Sequence, residues 1–233
     1  MGLPTIYQIG KRENQEFLEK LKQEERPDPY INSIFSCPVY TTKRDSILTP
    51  EEERDIAKIV KEGMYKNEGN STSNNNYIFD DKLKEIKQFC EQQLKIYVEQ
   101  VIVPKEELDF YITQSWLNIT KPGGSHHVHF HQNSIISGVF YISTEEDDKI
   151  TFNDINIKVK GNVLFELKEF NIWNSTTWFF PVNNNELVLF PSWLDHRVEI
   201  NEKATTDRIS LSFNTFIRGT LGLRDELTEL ILK

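Results

Sequence analysis

The five histidines of this chain are confined to two places, and imidazole is a side chain that binds metal ions and moves protons near neutral pH. Four of them, His126, His127, His129 and His131, lie within six residues, and His196 stands alone far downstream. Alternate side chains of a strand share a face, so His127, His129 and His131 would project together at intervals of roughly 6.6 Å. Any adjacent pair could chelate one ion. A third imidazole from a distant strand would complete three protein ligands and leave the opposite face open, as oxygen-activating non-haem iron requires.

The segment around His196 has the features of the second half of such a site. An apolar run, Leu187 to Phe190, leads into a turn begun by Pro191, which delivers His196 at the start of the next strand. Arg208 follows twelve residues after His196 and would share a strand face with Ser210. A guanidinium fork beside a hydroxyl is suited to bind a carboxylate in a bidentate manner.

The alternative interpretation of the cluster is a group of surface histidines on a polar edge. The flanking residues favour metal binding instead, because Pro122-Gly123-Gly124 predicts a turn and Ile135 to Ile142 predicts a strongly apolar strand. These neighbours set the histidines at the rim of a hydrophobic core. The pattern therefore predicts a metal centre between two remote segments.

Two helices are predicted ahead of the histidines. Thr49-Pro50-Glu51-Glu52 combines a capping Thr, a Pro at the first helical position and the Glu of a capping box, so we expect a helix from there to about Gly63. Apolar residues spaced by three and four predict a second helix from about Asp81 to Gln100. The polar stretch Asn67 to Asn76 between them is predicted to be a loop, and a lid over the site is one role it could have.

From Asp109 the pattern changes to short β-rich runs separated by turn residues. The predicted strands are Phe110 to Ile119, Ser134 to Ser143, Lys149 to Phe152, Val163 to Leu167, Glu186 to Phe190 and Asp207 to Ile217. Many short strands without intervening helices imply a sandwich or barrel. We expect a single domain over 1–233, with an N-terminal extension (1–33), a helical support region (34–108), a β core (109–218) and a closing C-terminal helix (219–233).

Composition excludes several classes of protein. At 233 residues with 38% hydrophobic content, the chain can build a full core. No apolar run approaches the roughly 20 residues of a membrane span, and the first residues lack the pattern of a secretory signal, so we expect a cytoplasmic protein without membrane contact. A net charge of −9 would repel a phosphate backbone, which argues against nucleic acid as a partner. Cys37 and Cys90 have no metal-type spacing.

Several of these motifs together resemble the 2-oxoglutarate/Fe(II) oxygenase superfamily, and more narrowly a branch found in bacteria and marine bacteriophages. The resemblance rests on Phe35 to Tyr40, Ser115-Trp116-Leu117-Asn118, His129-Phe130-His131 followed by Ser137 to Tyr141, Leu189 to Ser192 leading to His196, and Arg208 to Asn214. It implies a mainly β fold with flanking helices around a double-stranded β-helix core of the jelly-roll, cupin-like type. It also implies Fe(II), 2-oxoglutarate as cosubstrate, and O₂.

Matching motif by motif, the resemblance makes His129, His131 and His196 the iron ligands and Arg208 the residue that binds the distal carboxylate of 2-oxoglutarate. Ser210 and Asn118 would be further cosubstrate contacts. Most of the superfamily has a carboxylate where His131 stands, so the pair could instead be His127 with His129.

The implied reaction is hydroxylation, coupled to conversion of 2-oxoglutarate to succinate and CO₂. A peptidyl side chain, of proline for example, or a small metabolite would be the substrate. Trp116, Trp173, Trp178 and Phe179 could line its pocket or pack the core. Two other functions fit the same residues: a three-histidine dioxygenase that uses no 2-oxoglutarate, and a cupin-like module that binds metal or ligand without turnover.

Overall fold

The computed structural model describes residue 31 and residues 36–154 and 166–233. The chain divides into two compact units, Met1–Ser36 and Cys37–Lys233, and the described helices and strands all belong to the second. The predicted N-terminal extension and most of the predicted strand Val163 to Leu167 lie outside the described residues. No helix in the described part of the chain is long and apolar enough to cross a membrane.

The described residues form two antiparallel sheets with two α-helices packed on the larger one. The helices are α1 (Pro50–Glu62) and α2 (Lys84–Tyr97), and a π-helical turn (Val98–Ile102) and two 3₁₀ turns (Ile78–Asp80 and Arg224–Glu226) complete the helical elements. The strands are β1 (Tyr40–Lys43), β2 (Met64–Lys66), β3 (Ser71–Ser73), β4 (Asp109–Thr120), β5 (His126–His129), β6 (Ile136–Ser143), β7 (Lys149–Asn153), β8 (Thr177–Pro181), β9 (Glu186–Pro191), β10 (His196–Val198), β11 (Arg208–Leu221) and β12 (Leu230–Leu232).

The two sheets have the topology expected of a jelly roll. Among the described strands the larger sheet runs β1-β9-β6-β11-β4-β3-β2, with β12 added on β11, and the smaller runs β5-β10-β7-β8. This arrangement confirms the predicted mainly β fold with flanking helices. Strands β1, β2 and β3 extend the larger sheet, although they come from the region predicted to be helical support.

The hydrophobic core has two layers, one on each face of the larger sheet. The first lies between that sheet and the helices, and Ile86, Leu94 and Phe140 are fully buried in it. The second lies between the two sheets and contains Tyr141 and Phe190. Strand β6 is buried on both faces because successive side chains enter opposite layers. The space between the sheets is where the histidines meet.

The C-terminal helix predicted over 219–233 is wrong. Strand β11 continues to Leu221, and after a turn β12 pairs back on it, with Leu221 opposite Leu230. Gly222 has a φ of +71°, and a Cβ there would lie 2.2 Å from the carbonyl oxygen of Thr228. Gly222 therefore allows the chain to turn back after β11, and pairing with β11 makes the following segment a strand rather than a helix.

The predicted capping box of α1 is present and joins a buried ion pair. Thr49 accepts from the backbone N–H of Glu52, and the Glu52 carboxylate accepts from the backbone N–H of Thr49. The same carboxylate accepts from both terminal nitrogens of Arg44, at 2.6 and 2.8 Å. Burial would raise the pKa of Glu52, but the hydrogen bonds from Arg44 and Thr49 outweigh it and lower the pKa.

We expect Glu52→Ala to lower the free energy of unfolding by about 3–5 kcal/mol, because it leaves the buried Arg44 guanidinium without its carboxylate and removes a helix cap. Since the folded pKa of Glu52 is depressed, its contribution is present at neutral pH and is lost as the pH falls through that folded value. Urea unfolding at pH 7 and at a pH below the ordinary Glu pKa of 4.5 measures both effects. Glu53→Ala, at an exposed neighbour, is the control, and equal losses in the two variants would contradict the prediction.

Candidate metal centre

His129 and His196 lie directly opposite each other on neighbouring strands. The antiparallel pairing of β5 with β10 sets the two residues side by side, and their ring centroids are 4.3 Å apart. His196 is buried at the start of β10, immediately after the turn begun by Pro191. The two remote histidine segments therefore meet, as the sequence predicts.

His131 lies just beyond the end of β5 and completes the group. Its backbone N–H donates to the carbonyl oxygen of Ser192, and its ring is stacked on Trp116 with centroids 5.7 Å apart. The ring centroid is 5.2 Å from that of His129 and 5.1 Å from that of His196. Backbone and aromatic contacts thus hold the third imidazole in place.

The hydrogen bonds of the three rings leave the same nitrogen free on each. His129 Nδ1 donates to the carbonyl oxygen of His127 at 2.9 Å, and His196 Nδ1 donates to that of Leu194 at 3.0 Å. His131 Nδ1 donates to the side-chain oxygen of Asn214. Because these oxygens can only accept, each Nδ1 carries the proton and each Nε2 presents a lone pair. Such hydrogen bonds orient histidine ligands in metal sites.

The electrostatic surroundings keep these rings neutral. Burial lowers the pKa of His131 to about 4, although the hydrogen bond with Asn214 acts in the opposite direction. Burial also lowers the pKa of His129, and it lowers that of His196 well below its ordinary value. Neutral imidazole is the form that binds metal ions. One ligand atom from each of these three histidines lies within 4.8 Å of the others, so the donor set fits a single transition-metal ion.

Arg208 lies in a narrow cavity that extends from the histidines between the sheets. The guanidinium is 7% exposed, donates to the backbone carbonyl of Lys149 at 3.2 Å and lies 5.2 Å above the ring of Tyr141. No carboxylate of the described residues pairs with it. A buried cation without an anionic partner is costly, so Arg208 is placed to receive an anion from solution.

Two further polar groups on the cavity lining lack partners. The Tyr141 hydroxyl and the Asn70 side-chain oxygen are buried, and neither makes a hydrogen bond of good geometry with a described residue, although the Tyr141 hydroxyl lies close to the Arg208 guanidinium. Burial raises the pKa of Tyr141, against the effect of the neighbouring Arg208, so the phenol keeps its proton and can donate it in a hydrogen bond. Buried polar groups are nearly always paired in folded proteins, so these two indicate a bound molecule.

A wider cleft opens on the other side of the histidines. It has a volume of about 330 Å³. Its described lining is made of amide, hydroxyl, imidazole and aromatic side chains: Tyr65, Asn67, Thr72, Asn76, Gln114, Trp116, His126, His127, His129, Phe130, His131 and Asn214. None of them is an acid, a Lys or an Arg. This side of the site is therefore polar but uncharged.

The predicted loop Asn67 to Asn76 forms one wall of this cleft and contains strand β3. The tip of the β2–β3 hairpin is docked on the turn before β5, where the backbone N–H of Ser125 donates to the carbonyl of Gly69 at 3.1 Å. Gly69 has a φ of +81°, and a Cβ there would lie 2.3 Å from the Ser125 carbonyl oxygen. The hairpin is thus attached to the segment that carries the histidines.

The structure brings the predicted site residues together. Ser210 and Asn118 line the narrow cavity with Arg208, and Asn118 accepts from Thr72 and donates to Ser212. The carboxamide of Asn118 is therefore already engaged within the protein. Of the four aromatic candidates, Trp116 lines both spaces. Neither space includes the other three, Trp173, Trp178 and Phe179, which are exposed.

Sequence reasoning missed Tyr141, Asn214 and Asn70 as site residues. Tyr141 and Asn214 both lie within motifs that carry the family resemblance, at the ends of Ser137 to Tyr141 and Arg208 to Asn214. Strand alternation could have found Asn214, because it has the parity of Arg208 and Ser210. No local signal marks Asn70, which reaches the cavity from the turn between β2 and β3.

Comparison with known proteins finds a family match for the central part of the chain. Residues 114–214 match the family model described as "Putative 2OG-Fe(II) oxygenase". This segment contains all five histidines and the arginine of the candidate site: His126, His127, His129, His131, His196 and Arg208. A search of curated protein sequences gives no match.

Solved structures share the fold at low sequence identity. A Pseudomonas putida prolyl-4-hydroxylase is 15% identical, with 79% of this chain and 95% of that chain covered and a TM-score of 0.50. HygX from Streptomyces hygroscopicus, with nickel and 2-oxoglutarate bound, is 9% identical, with 77% and 82% covered and a TM-score of 0.50. The alpha-ketoglutarate-dependent carbocyclase SnoK of nogalamycin biosynthesis is 10% identical, with 77% and 79% covered and a TM-score of 0.52.

Proposed function

We propose that this chain is a 2-oxoglutarate/Fe(II) oxygenase that binds Fe(II) through the Nε2 atoms of His129, His131 and His196 and hydroxylates an uncharged polar substrate. One observation carries the proposal: three neutral imidazoles with ligand atoms within 4.8 Å of one another share a cavity lining with a buried arginine that pairs with no carboxylate of the described residues. When bound, the iron and 2-oxoglutarate supply the oxidising chemistry, with O₂ consumed and succinate and CO₂ released.

Arg208 is the proposed anchor of the cosubstrate. Its guanidinium and the hydroxyl of Tyr141 line the same cavity, and both can donate to a carboxylate. Ser210 is a further donor on that lining. A dicarboxylic acid that reaches from the histidines to Arg208 would supply the anion that the guanidinium lacks and a partner for the buried phenol.

Binding of the cosubstrate requires some of the lining to move. The cavity between the histidines and Arg208 has a volume of about 40 Å³, which is room for only a few water molecules. This cavity shares Trp116 and His131 with the wider cleft. Movement of these two side chains toward the cleft would therefore enlarge the cavity. We therefore expect 2-oxoglutarate to bind with a rearrangement of side chains rather than into a preformed pocket.

A site of three histidines differs electrostatically from one that contains a carboxylate. Neutral imidazoles leave both positive charges of Fe(II) uncompensated by the protein, which strengthens its attraction for an anionic cosubstrate. The nearby Arg208 adds a further positive charge. The protein part of this site thus favours a doubly charged anion.

The wider cleft is the proposed substrate site. Its uncharged lining suits a substrate that offers hydrogen bonds and an apolar surface to Trp116 but no charge near the reacting carbon. A peptidyl side chain meets this description, and the likeness to a prolyl-4-hydroxylase makes proline the first candidate. A neutral small metabolite is the second. A cytoplasmic location, and an origin in bacteria or their phages, also belong to this proposal.

A second function also fits a ligand set that, among the described residues, consists of three histidines. A three-histidine dioxygenase that uses no 2-oxoglutarate would hold the ion with the same residues, and Arg208 would then bind the substrate's own carboxylate. The two functions differ in whether the metal-loaded protein binds 2-oxoglutarate at all.

The experiment that tests the proposal is titration of the anaerobic Fe(II)-loaded protein with 2-oxoglutarate, followed by visible absorption. Chelation of Fe(II) by the keto acid gives a charge-transfer band, and this readout requires no knowledge of the substrate. Aerobic release of succinate is then measured with proline-containing peptides and with neutral metabolites. Absence of both the band and succinate in the wild-type protein, with iron bound, would reject 2-oxoglutarate dependence.

A further inference from the structure

A second group of histidines lies outside the proposed iron ligands. One ligand atom from each of His126, His127 and His129 lies within 4.8 Å of the others. Their ring centroids are 4.3 Å apart for His126 and His129, 5.0 Å for His126 and His127, and 5.3 Å for His127 and His129. His126 and His127 have no assigned role in the proposed function.

A β-bulge explains why neighbouring residues of one strand converge. His129 of β5 is opposite His196 of β10, whereas His126 is opposite Val198, so three steps along β5 match two along β10. In a regular strand His126 and His129 would point to opposite faces, and the extra residue of the bulge turns them to the same side. The bulge is thus the backbone feature that assembles this second group.

The two groups share one nitrogen. His129 Nδ1 donates to the carbonyl of His127, so only its Nε2 is free for a metal ion. An ion bound through His126, His127 and His129 therefore uses the same lone pair as an ion bound through His129, His131 and His196. His129 can therefore bind a metal ion at only one of the two positions at a time.

The two groups also differ in their access to solvent. His127 is exposed, His126 and His129 are half-buried, and His196 at the inner end is buried. An ion arriving through the cleft meets His127 first and His196 last. His129, present in both groups, can stay bound while the other ligands are exchanged.

We propose that His126, His127 and His129 form an outer metal position that captures a divalent transition-metal ion from solvent and passes it to the inner position by ligand exchange about His129. Three imidazoles suit Zn²⁺, Co²⁺ and Ni²⁺ as well as Fe(II), so the outer position is a general one for imidazole-preferring ions. The transfer step depends on the proposed function, whereas binding at the outer position does not.

The binding step is tested with Zn²⁺ alone on a protein whose inner group is removed. The His131→Ala/His196→Ala variant should bind one Zn²⁺ by calorimetry, and adding His127→Ala should weaken that binding at least 10-fold. Circular dichroism checks the fold, and if the double variant does not fold, His131→Ala alone replaces it, because it keeps the buried His196. Failure to bind Zn²⁺, or equal affinity with and without His127, would overturn the proposal whether or not the inner position holds iron.

The capture step is tested by the rate at which the otherwise unaltered protein takes up Co²⁺. Stopped-flow absorption of bound Co²⁺ should show slower loading in His127→Ala, by about 10-fold, with the final amount of bound Co²⁺ unchanged. Val128→Ala, at an exposed side chain of the same strand that lies outside both histidine groups and lines neither cavity, is the control and should load at the wild-type rate. Equal loading rates in His127→Ala and wild type would overturn the capture role.

Discussion

His196→Ala should abolish Fe(II) binding at the inner position, with a loss of affinity there of at least about 100-fold, since changes to residues that only support metal ligands already cost 10–100-fold. The outer group of His126, His127 and His129 stays intact in this variant. His196 is buried, and the loss of its ring would leave His129 and His131 as a two-ligand site beside an apolar hole lined by Phe152 and Phe190. Anaerobic calorimetry with Fe(II), supported by measured iron content, gives the affinity and the stoichiometry. His129→Ala should show a loss of the same order.

His127→Ala is the matched control for this prediction. It removes an imidazole from the same cluster but not from the proposed inner group, so equilibrium binding of Fe(II) should stay within about 3-fold of wild type. The same comparison decides between the two ligand pairs that the sequence leaves open. Loss of iron in His127→Ala with retention in His131→Ala would mean that His127 and His129 form the pair and that the proposed assignment is wrong.

Arg208→Ala should leave Fe(II) binding intact and weaken 2-oxoglutarate binding by about 2–5 kcal/mol, which is roughly 30-fold or more. The guanidinium is the buried positive charge of the narrow cavity, and its removal leaves Tyr141 and Ser210 as neutral donors to the distal carboxylate. The charge-transfer band of the anaerobic complex, titrated with 2-oxoglutarate, measures the change directly.

Arg218→Ala is the control for this second prediction because it makes the same substitution on the same strand. Arg218 is exposed and pairs with Asp109 at 3.1 Å, far along β11 from the cavity. Its loss should change neither iron nor 2-oxoglutarate binding. If Arg208→Ala bound 2-oxoglutarate as tightly as the Arg218 variant, another residue would have to bind the distal carboxylate.

The elements predicted most accurately are those determined by neighbouring residues. The capping box at Thr49 and Glu52 places the start of α1 correctly, because its hydrogen bonds join residues three apart. The apolar residues of α2 are buried at the predicted spacing up to Tyr97. For the same reason both ends of the strand Glu186–Pro191 are found within one residue. The start of β11 at Arg208 is also found within one residue, whereas its end at Leu221 lies four residues beyond the predicted Ile217.

The errors arise where distant residues decide the structure. The local pattern of the C-terminal segment predicts a helix, but pairing with the far end of β11 makes it a strand. Strand β8 is not predicted from the sequence, and it forms by pairing with β7. The convergence of His126 with His129 depends on a bulge that is defined only against β10. The spacing of residues along one strand does not determine the register in which that strand pairs with its neighbours.

Alternate residues of strand β11 include both Arg208, the proposed anchor of the cosubstrate, and Asn214, which orients the proposed metal ligand His131. Arg208, Ser210 and Ser212 line the narrow cavity, and Asn214 holds His131 before the register shifts at the next residue. Pairing with β4 on one side and β6 on the other holds this line of alternate residues in place, with one register shift against β6 between Ile209 and Ser210. A one-residue insertion or deletion within it would turn part of the set out of the site. Natural changes in the length of this strand are therefore confined to positions outside Arg208 to Asn214, because the count of residues between the guanidinium and the amide is fixed by the site.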